Sequence, residues 1–286
     1  MAGNVRAINR RIGNITNIRQ ITKAMNAIAM TKVTRFKRRL DAVQPWIESL
    51  DHLVSAAMAQ PNLTREPHPL VADNGAEPTA VLVLNADSGL CGRYTGDLNR
   101  ATARLIDEQG PAARLLIGGE KARLFFAHRS GSVKTLGTYV RVYNDPNMEI
   151  AGRISRDLIR LYSEQRIGRC VVVSMRFVSD LKQTLQVETL LPVSVEPRGV
   201  EALIEPAGPE FLDRMLPLYV QGKLFEALLH TRASEEAIRR QSMKNATDNA
   251  DDLITLLTRT YNKLRQQGIT TEIADIVGGS EALRNA

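Results

Sequence analysis

The sequence predicts an α/β protein: a long antiparallel coiled coil of N- and C-terminal helices with an inserted three-layer α/β domain of mainly parallel sheet. Apolar residues recur at steps of three and four near both ends of the 286-residue chain, as on one face of a helix. Between the ends, short apolar runs alternate with helical patterns, which indicates strands linked by helices. We therefore expect a helix at residues 1–60, the α/β domain at 78–195 and a second long helix at 209–286.

The N-terminal helix is predicted by one row of apolar residues that would form the seam of a coiled coil. The row shifts once, after Ile15, by three residues, which would act as a stammer. Pro45 interrupts the row and is expected to kink the helix. The predicted row consists of Val5, Ile8, Ile12, Ile15, Ile18, Ile21, Met25, Ile28, Phe36, Leu40, Val43, Ile47, Leu50 and Val54.

The charge of the N-terminal segment narrows its possible roles. Residues 1–40 contain ten Lys or Arg and no Asp or Glu, and the whole chain has a net charge of +7. A transit peptide is disfavoured because the segment is poor in Ser and its helical pattern continues past Ala57. Two interpretations remain, a nucleic-acid-binding arm and a helix whose positive face meets an acidic protein surface.

The middle of the chain has the pattern of an α/β domain. Proline-rich residues 61–78 read as a loop that separates it from the first helix. The predicted strands are residues 80–84, 115–117, 170–173 and 184–193, and the predicted helices are residues 96–109, 120–129 and 147–166. Strands that alternate with helices favour a mainly parallel sheet with helices on both faces.

The C-terminal helix is predicted to begin at Pro209, to be irregular near Pro217 and Gly222, and to end at Gly278-Gly279. Its seam is expected at Ala246, Ala250, Leu253, Leu257, Tyr261 and Leu264. Residues 233–240 carry two glutamates and two arginines at spacings that suit ion pairs, which we place on a solvated face. These four are Glu235, Glu236, Arg239 and Arg240.

The sequence contains no motif that indicates a catalytic residue, a cofactor, a metal site or a small-molecule substrate. Gly89-Leu90-Cys91-Gly92 lacks the third glycine of a dinucleotide-binding turn, and Gly118-Gly119-Glu120-Lys121 lacks the spacing of a phosphate loop. We interpret the first as a tight strand-to-helix turn. Cys91 and Cys170 share no metal-binding spacing and are expected to be reduced.

Five motifs stand in order along nearly the whole chain. They are Ile21-Thr22-Lys23-Ala24-Met25, Gly89-Leu90-Cys91-Gly92, Met243-Lys244-Asn245-Ala246-Thr247-Asp248-Asn249-Ala250, Ile269-Thr270-Thr271-Glu272-Ile273 and Ile276-Val277-Gly278-Gly279. Together they closely resemble the γ subunit of F-type ATP synthases. The resemblance implies a non-catalytic rotor shaft that couples proton flow through the membrane sector to ATP synthesis and hydrolysis on surrounding β subunits.

The resemblance also implies partners and contact residues. The partners would be the α and β subunits of the catalytic hexamer, the ε subunit and the membrane c-ring, at the cytoplasmic face of the bacterial inner membrane. Lys23 and Met25 would face the acidic lever loop of a β subunit. The β-subunit catch loop would meet Arg265, Gln266 and Thr270. Glu205 would be a foot residue near the ring.

The sequence departs from the family pattern in two places, and two other functions remain as alternatives. Ser88 and Arg93 replace a basic residue and a glycine beside Gly89-Leu90-Cys91-Gly92, and residues 237–243 replace a His-Ala-Ala-Arg-Met segment. The plant-type regulatory segment with its cysteine pair is not found, so disulfide control is not expected. The alternatives are a basic coiled coil that binds nucleic acid and a nucleotide-binding enzyme built on the α/β domain.

Overall fold

The computed structural model describes residues 2–59, 68–129, 133–141, 144–196 and 209–284. In chain order, two long helices flank a sheet and its shorter helices. The elements are α1 (Ala2–Met58), β1 (Thr79–Leu84), α2 (Tyr94–Gln109), β2 (Ala113–Gly118), α3 (Glu120–Ala127), β3 (Lys134–Tyr139), α4 (Met148–Ser163), β4 (Arg169–Phe177), β5 (Gln183–Leu191) and α5 (Pro209–Arg284). A short 3₁₀ turn, Gly110–Ala112, precedes β2.

The five strands form one sheet in the order β3-β2-β1-β4-β5. The first four strands are parallel, and β5 runs antiparallel to β4. The predicted mainly parallel sheet is therefore confirmed. The sequence prediction missed β3, an edge strand whose residues are mostly polar and of which three of six are exposed.

Residue contacts divide the chain into two compact units. We call residues 29–239 the central unit, and residues 1–28 with 240–286 the terminal unit. The central unit holds the whole sheet and α2 to α4, together with parts of α1 and α5. The terminal unit consists of the remaining parts of α1 and α5. The division into three domains expected from the sequence stays a prediction.

Both faces of the sheet in the central unit are covered. On one face, alternate β1 residues Ala80, Leu82 and Leu84 pack into a core that also contains residues of α1, α4 and α5. On the other face, Val81 and Val83 pack with residues of α2 and α3. Because strand side chains alternate between faces, a strand buried on both sides needs a continuous apolar run. The predicted three-layer arrangement follows from that run.

The long helices tolerate residues that usually break helices. In the central unit α1 remains helical through Pro45, and α5 remains helical through Pro217 and Gly222. A Cβ atom at Gly222 would lie 3.0 Å from the Leu50 side chain and 3.1 Å from Trp46, so the glycine allows α5 to approach α1 closely. The irregularity predicted near Pro217 and Gly222 is thus wrong, because α5 is continuous there, whereas the kink predicted at Pro45 stays a prediction.

The predicted end of α5 is also wrong. The helix continues through Gly278-Gly279 to Arg284, and neither glycine has the positive φ angle of a helix-ending residue. Glycine in a helix costs up to about 1 kcal/mol relative to alanine but does not by itself end the helix.

In the terminal unit, α1 and α5 pack antiparallel along a seam that differs from the predicted one. The seam of α1 keeps a strict alternation of three and four steps, through Val5, Ile8, Ile12, Ile15, Arg19, Thr22 and Asn26. The predicted stammer is wrong, and Ile18, Ile21 and Ile28 lie outside the seam. On α5 the half-buried Ile254 takes the place predicted for Leu253, which is exposed.

Polar residues hold the middle of this seam. The Thr247 hydroxyl donates to the Thr22 hydroxyl at 2.8 Å, and an Arg19 nitrogen lies 2.8 Å from an Asp251 oxygen. Polar seam residues specify register at some cost in stability. The seam of α1 therefore keeps its register through Arg19 and Thr22 and does not move to the nearby isoleucines.

Candidate functional site

The outer surface of the terminal unit carries a second row of apolar side chains on α1. Ile18 is 53% exposed, Ile21 60% and Ile28 57%, although all three are large and apolar. Their spacing of three and seven residues places them on one face of the helix, away from the seam. Single exposed apolar residues are common, but a row of them marks a surface for a partner.

The α5 part of the terminal unit has the same property. Beyond Leu264 its seam passes through small or polar residues such as Gly268 and Thr271, which are half-buried. Six large apolar side chains instead face outward: Leu253, Leu256, Ile269, Ile273, Ile276 and Val277. The exposed apolar rows on both helices make this unit the candidate functional site.

The residues expected to contact a β subunit all lie in the terminal unit. On α1, Lys23 is exposed and Met25 is half-buried. Met25 is four residues after Ile21 and three before Ile28, so the three side chains share a face of the helix. The structure thus places the predicted Met25 within the outer apolar row.

The other predicted contact residues lie on α5. Arg265, Gln266 and Thr270 are exposed, and the Thr270 hydroxyl donates to the Gln266 carbonyl at 2.9 Å within the helix. Arg265 also lines a groove of about 430 Å³ together with Val5 and Ile269. The predicted foot residue Glu205 lies outside the described residues.

Positive charge accompanies the apolar rows. Arg6, Arg10, Arg11 and Lys23 are exposed on α1, and Arg19 pairs with Asp251 across the seam. No acidic residue precedes Asp41 in the sequence. The α1 surface can therefore bind an acidic partner through charge and an apolar partner through the isoleucine row.

The central unit offers the place where a sheet of this topology would bind a ligand. The strand order reverses between β1 and β4, and ligands of open α/β sheets bind at the carboxyl ends of the strands at such a point. Here α5 occupies the crevice. The Ser234 hydroxyl donates to the Met175 carbonyl of β4 at 3.2 Å, and the Tyr94 hydroxyl donates to the Thr231 carbonyl at 3.2 Å.

The two glycine motifs at the carboxyl ends of the strands form tight backbone turns. The Arg239 guanidinium of α5 donates to the Gly89 carbonyl at 3.4 Å, and Gly92 has a positive φ angle of 54°. Gly119 has a φ angle of 94°, and a Cβ atom there would lie 2.3 Å from the Asn85 carbonyl oxygen. Both motifs are tight turns between a strand and a helix, and this geometry disfavours the nucleotide-binding alternative.

Three of the four charged residues predicted on a solvated face of α5 are instead buried, so that prediction is wrong for them, whereas Arg240 is half-buried. Glu235 is 0% exposed, Glu236 1% and Arg239 6%, and Arg232 joins them at 4%. The pattern of opposite charges at steps of three and four is the same for a solvated face and for a neutralised buried cluster. The sequence alone therefore could not separate the two.

The two places where the sequence departs from the family pattern meet in the structure. The Arg239 guanidinium donates to the Ser88 hydroxyl at 2.8 Å. Arg93 is exposed and lies 3.8 Å from Asp97, one turn further along the chain. The Ser88 departure thus belongs to the contact between the β1–α2 loop and α5, whereas Arg93 lies on the surface.

Both cysteines are free thiols buried in the central unit. Burial raises the pKa of the Cys170 thiol to about 12. Burial and then the Glu235 carboxylate raise the pKa of Cys91. Thiols with raised pKa values react slowly with oxidants and alkylating agents, because the thiolate is the reactive form.

The described part of the chain provides neither a membrane span nor a metal site. None of its helices combines the length and apolar character that crossing a membrane requires. No group of three or more His, Cys, Asp or Glu side chains within these residues is arranged to hold a metal ion.

Known proteins similar to this chain identify its family. A family model described as ATP synthase matches residues 4–283. The ATP synthase gamma chain of Desulfitobacterium hafniense is 34% identical over 97% of this chain and 98% of its own length. That of Frankia casuarinae is 35% identical over 99% of each chain. The chain belongs to the ATP synthase gamma chain family.

Solved structures share the fold of this family member. A chain of the Euglena gracilis mitochondrial ATP synthase, from an OSCP/F1/c-ring assembly, has a TM-score of 0.70 at 17% identity and covers 99% of this chain, with 95% of its own length matched. A chain from the Tetrahymena thermophila mitochondrial ATP synthase central stalk and c-ring has a TM-score of 0.60 at 19% identity, over 79% of this chain and 99% of its own. These likenesses confirm the fold class predicted from the sequence.

Proposed function

We propose that the chain is the central rotor shaft of an F-type ATP synthase. In this role it couples proton flow through the membrane sector to ATP synthesis and hydrolysis on the surrounding β subunits. Family membership supports the proposal, and one observation carries it: both helices of the terminal unit present large apolar side chains outward. A helix pair with such a surface needs other protein to cover it, and we call this surrounding protein the sleeve.

The sleeve is formed by the α and β subunits of the catalytic hexamer. The exposed arginines and Lys23 of α1 attract an acidic loop of a β subunit, while Met25 and the isoleucines beside it supply an uncharged contact. On α5 the β-subunit catch loop meets Arg265, Gln266 and Thr270. Methionine suits a surface that meets several partners in turn because its side chain is flexible and polarisable.

The remaining partners contact other parts of the chain. Glu205 is a foot residue near the c-ring, and the ε subunit completes the rotor. The complex lies at the cytoplasmic face of the bacterial inner membrane, to which this chain is attached only through its partner subunits. The chain has no catalytic role of its own, and the reaction takes place on the β subunits.

Co-purification under a range of salt concentrations tests this function. The full-length chain, tagged and expressed in its native host, should co-purify with a hexameric ATPase of α and β subunits and with ring subunits. The alternative, a nucleic-acid-binding coiled coil, predicts bound nucleic acid whose affinity falls steeply as salt rises. Recovery of the chain with nucleic acid and without an ATPase would refute the shaft.

Substitution in the outer apolar row tests whether that row faces the sleeve. Ile21→Asp places a charge on the exposed face of α1 and should weaken assembly with the hexamer while leaving the isolated chain folded. Ile8→Asp, in the half-buried seam, serves as a control because it should destabilise the helix pair itself. Normal assembly of the Ile21→Asp chain would show that this row does not face the sleeve.

A further inference from the structure

The buried charge cluster of the central unit is assigned to no partner by the proposed function. It consists of Arg232, Glu235, Glu236 and Arg239, which lie at steps of three and four on one face of α5. Each carboxylate contacts both guanidinium groups. The Arg232 guanidinium pairs with Glu235 and, at 3.0 Å, with Glu236, and Arg239 pairs with Glu235 and, at 2.7 Å, with Glu236.

These four ion pairs lie within one helix and so cannot hold α5 to the rest of the unit. They balance two positive and two negative charges, which allows the group to be buried. The pKa of Arg239 reflects this balance. Burial lowers this pKa, but the Glu235 and Glu236 carboxylates raise it by more than burial lowers it, so the net shift is above the ordinary value. Arg239 therefore stays charged, and both arginines present the planar donor geometry of a guanidinium group.

Bonds between elements start from the same cluster. The Lys32 ammonium of α1 lies 3.2 Å from a Glu236 oxygen, and the Arg232 guanidinium lies over the Phe36 ring of α1 at 5.5 Å. On the other side, the Arg239 guanidinium donates to the Ser88 hydroxyl at 2.8 Å and to the Gly89 carbonyl at 3.4 Å. The cluster thus joins α5 to α1 and to the β1–α2 loop.

Neighbouring residues on α5 add two bonds to the sheet and to α2. Ser234 is bonded to the Met175 carbonyl of β4, and the Thr231 carbonyl accepts from Tyr94 of α2. Within residues 231–239, therefore, α5 is bonded to four separate elements. Each hydrogen bond fixes the distance and direction between two particular atoms, whereas the hydrophobic attraction around them is non-directional.

A purely apolar contact would suit static packing at least as well. Replacing buried ion pairs with apolar side chains is often neutral or stabilising. Directional bonds differ from apolar packing under a twisting load, because a helix can roll on an apolar surface but must break its hydrogen bonds to roll here. A shaft helix that turns with the sheet experiences such a load.

We propose that Arg232, Glu235, Glu236 and Arg239, together with Ser88, form a torsional lock that fixes α5 in the crevice at the edge of the sheet. The lock prevents α5 from rolling when torque passes between the α/β layers and the helix. These are positioning residues, because none of them touches a reacting group. The inference rests on the proposed rotor function.

Proton pumping under load tests the lock in the assembled enzyme. Membrane vesicles carrying Arg239→Lys, Glu235→Gln or Ser88→Ala are supplied with ATP, and hydrolysis is measured with an uncoupler and against a growing proton gradient. We expect unchanged hydrolysis in uncoupled vesicles, and a lower maximum gradient because the shaft slips under load. Ser88→Thr keeps the hydroxyl and should restore the wild-type gradient.

Arg123→Gln is the matched control. It removes an exposed ion pair with Glu120 on α3, in the same unit but outside the lock, and should reach the wild-type gradient. If Glu235→Gln fails to assemble, Arg239→Lys and Ser88→Ala decide the question by the same measurements. Wild-type gradients in these variants would overturn the lock, as would proportional losses of hydrolysis and pumping, which indicate reduced assembly alone.

The same experiment distinguishes failure of the lock from failure of the proposed function. If the wild-type chain does not join a proton-pumping ATPase, the rotor function itself is wrong. If the wild-type enzyme pumps and all lock variants match it, only the lock is wrong.

Discussion

The central and terminal units are built from the same two helices and yet differ in how much they bury. In the central unit, α1 and α5 contribute large buried side chains such as Phe36, Leu216 and Leu228. In the terminal unit, the buried residues among those with described side chains are Thr22, Met243 and Ala250. A helix pair with so little burial gains little from its own packing, because most helical stability in proteins comes from a buried apolar face.

This difference indicates which part of the chain depends on a partner. In the terminal unit large apolar side chains such as Ile21 and Ile276 are exposed to solvent, whereas in the central unit such side chains are buried in the core. Folding of the central unit can therefore proceed from its own residues. The terminal unit is expected to become fully ordered only when other protein covers its outer rows.

Hydrogen exchange of the isolated chain should show the largest difference between the units. Amides of residues 5–25 and 265–280 should exchange fast, because opening there costs little free energy. Amides of residues 80–84 and 170–173, buried in the sheet, should exchange only when the whole unit unfolds. Equal protection in both units would contradict the difference in burial and would count against a shaft that depends on its sleeve.

Truncation of one side chain in each unit measures the difference in burial between the units as a change in the free energy of unfolding. Leu158→Ala removes a fully buried side chain of α4 and should lower the free energy of unfolding by about 2–5 kcal/mol. Ile21→Ala, at an exposed position, should change it by no more than about 0.5 kcal/mol. Urea unfolding of the isolated chains, followed by circular dichroism, measures both. A large effect of Ile21→Ala would mean that the outer row is buried in the free chain.

The sheet could be predicted from the sequence because its strands are apolar on both faces. Val81 and Val83 alternate with Ala80, Leu82 and Leu84, and a run of this kind has few alternatives when turn-forming residues flank it. The edge strand β3 gave no such signal, since it is as long as β1 but mostly polar, with no continuous apolar run. Its Thr135, Thr138 and Tyr139, which favour strands, were the available hint.

The register of α1 beyond Ile15 could not be predicted from apolarity. On α1 two apolar rows lie side by side, and the true seam is polar at Arg19, Thr22 and Asn26. The outer row continues the apolar rhythm with Ile18 and Ile21. Hydrophobic periodicity identifies a face that avoids water, but it does not say whether the chain itself or another protein covers that face.

Acidification tests a smaller contribution within the central unit. Burial raises the pKa of Glu226. His230, 3.8 Å away, and Lys223 lower this pKa by more than burial raises it, so the net shift is downward. Stability from a lowered carboxyl pKa is present above the unfolded value of about 4.3 and is lost as pH falls below it. Glu226→Gln should therefore lower the urea midpoint at pH 7, and the difference from wild type should vanish in acid.

The groups facing Glu226 set the limits of that experiment. Arg176 and Glu188 of the sheet and Asp51 of α1 line the same groove as His230 and Lys223 of α5. Glu120→Gln on the exposed start of α3 is the control, because its carboxylate pairs with Arg123 at the surface. A Glu226→Gln difference that does not shrink as the pH is lowered well below the unfolded value of about 4.3 would show that the carboxylate is not stabilised by these cations.

The smallest effect is expected at Met25, where the terminal unit is proposed to meet a β subunit. A surface that passes three β subunits in turn should not bind any one of them tightly. Met25→Lys adds a cation that can form ion pairs with an acidic loop, worth about 0–1 kcal/mol when exposed and more when partly buried. Such pairs favour one rotary position, so the variant should assemble and hydrolyse ATP but pump fewer protons per ATP.

Met25→Leu is the control, since it keeps the volume and adds no charge. ATP-driven proton uptake, divided by the hydrolysis rate in membrane vesicles, measures coupling for both variants. Ile21 and Ile28, which share a helix face with Met25, are exposed, so a long lysine side chain at this position can extend toward the partner. If Met25→Lys pumps as many protons per ATP as the wild type, coupling is set elsewhere on the shaft, and the outer row of α1 serves only to hold the sleeve.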